Sequence, residues 1–308
     1  MKKQLSLLLL CSIFLISVVK AQDTDDDAPI KVDTLLLTMP VTVSDGSGRN
    51  IAGLKKDNFS IFQDGERQDI EYFFNEEAPM NVALLIDTSA STKQALDKIQ
   101  KAARDFVRVL RPEDKGIIVS FDYRTAFLSE LTADKKKLSK AIDQTAVTED
   151  QAGSDVNDAV LQIVNKYFAS FKGRKAIIAL TDGMVIKRAV SSQQAMDALR
   201  KSDTLFYPII FKTKSYSEAS ARAARNRQRK PMSIEILEIM AQETAGRIYE
   251  KDAANLREAF QSIAEELKNQ YLLGFYPQTT DQKNPADAIK IEVDRKDFRV
   301  RTKKRWSF

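Results

Sequence analysis

The chain has no histidine, and its one cysteine, Cys11, lies close to the N-terminus. Without imidazole, Ser-His-Asp and Cys-His catalysis and nearly every zinc site are excluded. Without a thiol beyond residue 11, neither disulfides nor thiolate metal ligands are available to the body of the protein. Long apolar runs are scarce as well: after residue 19 nothing approaches the ~20 consecutive apolar residues needed to cross a bilayer. Net charge is small. The whole chain carries +5, of which Lys2, Lys3 and Lys20 belong to the leader, leaving about +2, too little to point to nucleic acid.

The leader itself is informative. Lys2-Lys3 precede an apolar stretch from Leu5 to Val19, and Val19-Lys20-Ala21 offers small residues at the cleavage positions. This reads as a signal peptide over residues 1–21, with an uncleaved anchor as the alternative. Leu10 stands before Cys11 where a lipoprotein signal needs a small residue, which argues against lipid anchoring. The expected mature chain is exported, periplasmic or secreted, with no transmembrane segment. It begins with a flexible acidic segment, residues 22–30, containing Asp23-Thr-Asp-Asp-Asp27.

With 43% apolar and 30% charged residues the remainder has the composition of a globular protein with a sizeable core. Residues 31–78 contain short β-prone runs separated by Ser44-Asp-Gly-Ser-Gly48 and Gln63-Asp-Gly-Glu66, hairpin signals of the Asp-Gly kind. From Asn81 the pattern changes. Val82 to Ile86, Gly116 to Phe121, Ala176 to Leu180 and Leu205 to Phe211 are continuous apolar runs, as strands covered on both faces must be. Between and after them, Ala95 to Leu110, Val156 to Phe171 and Leu256 to Leu267 place apolar residues three and four apart, one helical face each. Alternation of this kind predicts an α/β fold, a mostly parallel sheet with helices on both faces, over residues 79–270. Residues 271–308 return to strands, Ile289 to Val293 and Phe298 to Arg301, expected to complete with residues 31–78 one small antiparallel β-sandwich into which the α/β domain is inserted.

Three segments fall at predicted strand ends or a helix start: Asp87-Thr-Ser-Ala-Ser91, Gly153-Ser154 leading into Asp158-Ala159, and Leu180-Thr-Asp-Gly183. The carboxyl edge of an open α/β sheet is where ligands bind, because loops converge there. Asp87, Asp182, Ser89, Ser91 and Ser154 form an oxygen-only set suited to a hard divalent cation. Two carboxylates and one such ion sum to zero charge and leave a position open for a third carboxylate. Taken alone, Asp87-x-Ser-x-Ser is explained as well by a strand-to-helix turn with a serine cap, and Asp182 by a turn. Ser154 could cap its helix and face the ion together. Asp158 suits the first turn of that helix, and Asp122 a solvated loop.

Together the three segments resemble the metal-ion-dependent adhesion site of von Willebrand factor type A (VWA) domains: Asp-x-Ser-x-Ser, a threonine, then an aspartate in Thr-Asp-Gly. Ser154 stands where that pattern has threonine, keeping the hydroxyl on a less constrained rotamer. Val41 to Leu54, Asp57-Asn-Phe59, Phe62 to Glu66 and Asn269 to Pro277 are similar to bacterial exported proteins of the VWFA-related acidobacterial type. The resemblance implies a Rossmann-like VWA domain holding one Mg2+, or Mn2+ or Ca2+, through Asp87, Ser89, Ser91, Ser154 and Asp182. It implies a binding module rather than an enzyme, whose protein partner supplies an acidic residue. Apolar Met184, Val185 and Ile186, beside Asp182, are candidate partner contacts or else tuck inward. Alternatives are a structural envelope component with an idle metal site and a metal-dependent hydrolase. Lys212 to Lys230 reads as a solvated insertion or an anion-binding surface, and Arg299, Arg301, Lys303 and Arg305 as one guarded face of an edge strand.

Overall fold

A computed structural model of the chain describes residues 36–75, 78–148, 154–171, 173–184, 190–226, 228, 230–277 and 289–303. The expected leader and acidic segment, Cys11, Gly153, Val185, Ile186, Arg227, Arg229 and Arg305 lie outside them. Among the described residues the strands run in the order β1 (Leu37–Ser44), β2 (Phe59–Gln63), β3 (Glu66–Gln68), β4 (Tyr72–Phe74), β5 (Met80–Asp87), β6 (Lys115–Phe121), β7 (Thr125–Phe127), β8 (Arg174–Thr181), β9 (Thr204–Phe211), β10 (Tyr249–Lys251), β11 (Gln270–Phe275), β12 (Ile289–Val293) and β13 (Arg299–Arg301). The α-helices that interleave with them are α1 (Leu96–Val109), α2 (Lys135–Asp143), α3 (Val156–Gln162), α4 (Ser192–Lys201), α5 (Lys214–Arg225), α6 (Met232–Glu243) and α7 (Leu256–Lys268). None of the described helices is long and apolar enough to cross a membrane.

The central sheet has the order β10-β9-β8-β5-β6-β7, parallel throughout except for the antiparallel edge strand β7. Successive residues of its strands serve opposite cores, as the two-residue period of a strand requires. Val82, Leu84 and Ile86 of β5 pack with α1, α2 and α7, whereas Ala83 and Leu85 pack with α3, α4 and α6. Both faces are therefore covered, which is why these strands are apolar at nearly every position.

The chain leaves β5 for β6 on one side and later returns to β8 on the other. This reversal opens a crevice at the carboxyl ends of β5 and β8, the position at which ligands enter sheets of this kind. Asp87 ends β5, and Asp182 follows the last residue of β8.

The remaining strands form two antiparallel sheets, β13-β1-β11-β4 and β12-β2-β3, each joining segments from before and after the α/β part. Leu37 pairs with Phe275, and Phe59 with Val293. Met39, Val41, Phe59, Ile61, Tyr271 and Leu273 make one core between them. The Tyr271 hydroxyl donates to Ile51 O at 2.9 Å and accepts from Leu54 N at 3.0 Å, so the buried ring keeps both hydrogen bonds.

Three local expectations change. The helix foreseen over Val156 to Phe171 is α-helical only to Gln162 and continues as a π-helix over Ile163–Phe168, which buries Phe168 and leaves Phe171 half-buried. The insertion foreseen from Lys212 holds helix α5, whose single buried residue, Ala223, left no apolar stripe to read. The basic face of β13 turns inward beyond Arg299. Arg301 pairs with buried Glu266, and buried Lys303 donates to the Leu199, Arg200 and Ser202 carbonyls at the end of α4, where a cation meets orphan acceptors.

Candidate metal centre

Asp87 is fully buried. Its Oδ1 accepts from Ser89 N at 3.0 Å and its Oδ2 from Thr181 Oγ1 at 2.6 Å. The chain then enters a 3-10 turn, Ala90–Thr92, which Thr92 fixes by donating its hydroxyl to Ser89 O at 2.8 Å and Asp87 O at 3.2 Å. Ser89 precedes that turn, yet its side chain makes no capping bond. Its Oγ instead meets Ser91 Oγ at 3.2 Å. The cap that explained Asp87-x-Ser-x-Ser on sequence grounds is therefore absent, and the two hydroxyls converge on each other.

The second half of the site gathers around Asp182, also fully buried. Oδ1 accepts from Met184 N at 3.0 Å and Oδ2 from Thr213 Oγ1 at 2.8 Å. Ser154 is 1% exposed and donates to Met184 O at 3.3 Å, which holds it beside the same loop. It does not cap α3. That role belongs to Asp155, which accepts from Asp158 N at 3.2 Å. Gly183 completes the turn at φ +73°, where a Cβ would lie 2.1 Å from Ile234 Cδ1.

The two halves meet through Thr181, which donates to Asp87 and accepts from Gly183 N at 2.9 Å. They also meet electrostatically. Burial, then the nearby charge of Asp182, push the Asp87 carboxyl up to about 7 from 3.8, with hydrogen bonds from Ser89 and Thr181 only partly offsetting this. No lysine or arginine pairs with either carboxylate among the described residues. Two buried like charges with no counter-charge, ringed by hydroxyls, are a donor set that a divalent cation fits.

Sequence reasoning left out Thr181 and Thr213. Thr181 stands in the quoted Leu180-Thr-Asp-Gly183 and orients Asp87 from the neighbouring strand. Thr213 caps α5, accepting from Tyr216 N at 3.1 Å, and came with no sequence signal because that helix had none. Asp158 instead accepts from Thr125 Oγ1 at 2.5 Å and Gln162 Nε2 at 2.7 Å. Asp122 is buried rather than solvated and accepts from Arg124 N at 2.7 Å and from the Thr148 hydroxyl. Met184, half-buried, packs against the α3, α4 and α6 core.

Solved structures share this fold. A von Willebrand factor type A structure from Catenulispora acidiphila superposes with TM-score 0.51 at 11% identity, covering 81% of this chain and 72% of that one. Proximal thread matrix protein 1 from the mussel byssus reaches TM-score 0.51 at 14% identity, covering 66% of this chain and 49% of that one. The same mussel protein with a zinc-occupied MIDAS motif reaches 0.51 at 15% identity, covering 64% of this chain and 47% of that one. This chain thus spans about half the length of the mussel protein. No curated protein matches by sequence. The family described as von Willebrand factor type A domain matches residues 82–184, from the third residue of β5 through Asp87, Ser154 and Asp182.

Proposed function

We propose that the protein is an exported, divalent-cation-dependent protein-binding module, and not an enzyme. Asp87, Ser89, Ser91, Ser154 and Asp182 would hold one ion, Mg2+ or alternatively Mn2+ or Ca2+, whose vacant position takes a carboxylate from a partner protein. The ion supplies a neutralised Lewis-acid centre when bound. The protein's own part is to orient the oxygens and keep them dry: Thr181 and Ser89 N fix Asp87, and Thr213 and Met184 N fix Asp182. Residues 79–270 serve as the binding domain, and the sandwich of residues 31–78 and 271–308 as its mount, in the manner of the acidobacterial type.

The observation that carries this reading is the burial of Asp87 and Asp182 together, without a basic partner among the described residues, at the switch point of the sheet. Such a pair is unfavourable alone and favourable around a cation. The zinc-occupied MIDAS of the mussel protein supports the idea that this fold can present such a site. Isothermal titration with Mg2+ and Mn2+ tests it: the wild type binds one equivalent and Asp182→Ala binds none. Absence of heat from both metals with the wild type would refute the proposal.

A further inference from the structure

A cleft of about 560 Å³ opens beside the centre, lined by Ser91, Lys93, Lys98, Lys212, Thr213 and Lys214 among others. Two of these tie it to the ion site, since Ser91 is a proposed ligand and Thr213 donates to Asp182. Four lysines and no aspartate or glutamate stand among the described lining residues, so the wall is basic. The acids that Lys212 and Lys214 meet lie outside that lining. Lys212 reaches Asp252 at 3.4 Å and Lys214 reaches Glu218 at 3.9 Å, with all four side chains at least half exposed, so water and salt weaken both pairs. The cleft also takes in Ala95, just before α1, and the first residues of α5, where the orphan N–H groups and partial positive charge of helix N-termini gather.

We propose that the partner of this site is an acidic polypeptide segment, which gives one carboxylate to the ion and lays further Asp or Glu side chains along the lysines of this cleft. The assignment rests on the metal reading above and adds the chemistry of the partner. A single carboxylate would satisfy the ion and leave the positive wall of the cleft without a matching surface. Nucleic acid fits less well, because no aromatic side chain or arginine lines the described cleft for stacking against bases. Serines and a threonine line it instead, donors suited to carboxylates and peptide carbonyls.

The test compares two labelled peptides on the full chain in Mg2+, an octaglutamate and an eight-residue glutamine peptide carrying a single glutamate. The readout is the ratio of their affinities. The double variant Lys98→Gln/Lys214→Gln lowers that ratio about five- to ten-fold, the modest effect expected of two exposed charge pairs. Lys268→Gln/Lys290→Gln, the same charge change on remote exposed lysines, leaves it at the wild-type value. An unmoved ratio in the first variant, with Mg2+ dependence intact, overturns the cleft assignment alone. Equal binding of both peptides in Mg2+ and in chelator overturns the metal reading and this proposal with it. Displacement of octaglutamate by oligothymidylate, equally well with and without Mg2+, would make the cleft a metal-independent polyanion site and overturn the acidic-segment assignment.

Discussion

Replacing Asp87 with asparagine separates what the carboxylate costs the metal-free protein from what it contributes to the ion. The shift of Asp87 from 3.8 to about 7 corresponds to roughly 4 kcal/mol once the group is ionised in both states. Because the folded value lies above the unfolded one, the metal-free protein loses stability as pH rises from about 4 to about 7. Below that window both states hold the proton and the penalty vanishes. The asparagine would keep the Ser89 N bond but present an N–H to Thr181, costing about 1 kcal/mol. In chelator, Asp87→Asn should therefore be about 1 kcal/mol less stable than wild type at pH 4 and about 3 kcal/mol more stable at pH 8. Mg2+ at a hundredfold its dissociation constant returns about 2.7 kcal/mol to the wild type and nothing to the variant, closing the gap at pH 8. Urea unfolding across pH, with and without Mg2+, reads all four corners. A variant less stable than wild type in chelator at pH 8, or a difference that does not change between pH 4 and pH 8, would refute the reasoning.

Ser154→Ala should lower Mg2+ affinity about ten-fold by titration calorimetry, whereas Ser154→Thr keeps it within a few-fold, since the hydroxyl remains. Gly246→Ala places a Cβ 2.0 Å from the Phe206 carbonyl oxygen, a backbone atom in a central strand that cannot swing aside. It should cost about 3 kcal/mol or more in urea unfolding, with the midpoint lowered. Glu266→Ala removes the acceptor of the Tyr207 hydroxyl at 2.5 Å and the partner of Arg247 and Arg301, leaving a half-buried Arg301 and a buried phenol without it. A loss of about 3–5 kcal/mol is expected, and Tyr207→Phe, which removes one bond, should lose only about 1 kcal/mol by the same assay.

How much of this was legible in the sequence follows from burial. Val82 to Ile86 reads as a strand and is the interior of Met80–Asp87, and Ala176 to Leu180 lies within Arg174–Thr181. A strand covered on both faces has no freedom to be polar, so its sequence announces it. The α1 stripe Ile99, Ala102, Ala103, Phe106 and Val107 is buried for the same reason. Helix α5, which exposes all but one of its side chains at least partly, had nothing to announce. The edge strand β10, three residues long, was equally silent. At the site, residue type and order put the five candidate residues at strand ends and a helix start, but their supports came from across the fold. Thr213 reaches Asp182 over 31 residues and Thr181 reaches Asp87 over 94. Only folding shows which hydroxyl meets which carboxylate. Arg301 and Lys303 misled because alternate spacing says that residues share a face, without saying what that face lies against.

The pairing of the two ends of the described chain sets the order in which the protein can be built. Thr302 donates to Pro40 O across 262 residues, and Leu37 must await Phe275 before its first ladder bond forms. On a ribosome, which adds about 5–20 residues each second, β1 emerges early and stays without its neighbours until almost everything else has been made. The α/β part, whose strands find one another over shorter separations, can close first and carry both loose ends outward. The sandwich is then a closing clasp, fastened last. A chain cut short before β11 would keep β5 and β8 but leave β1 with an open edge, ready to pair with another such strand.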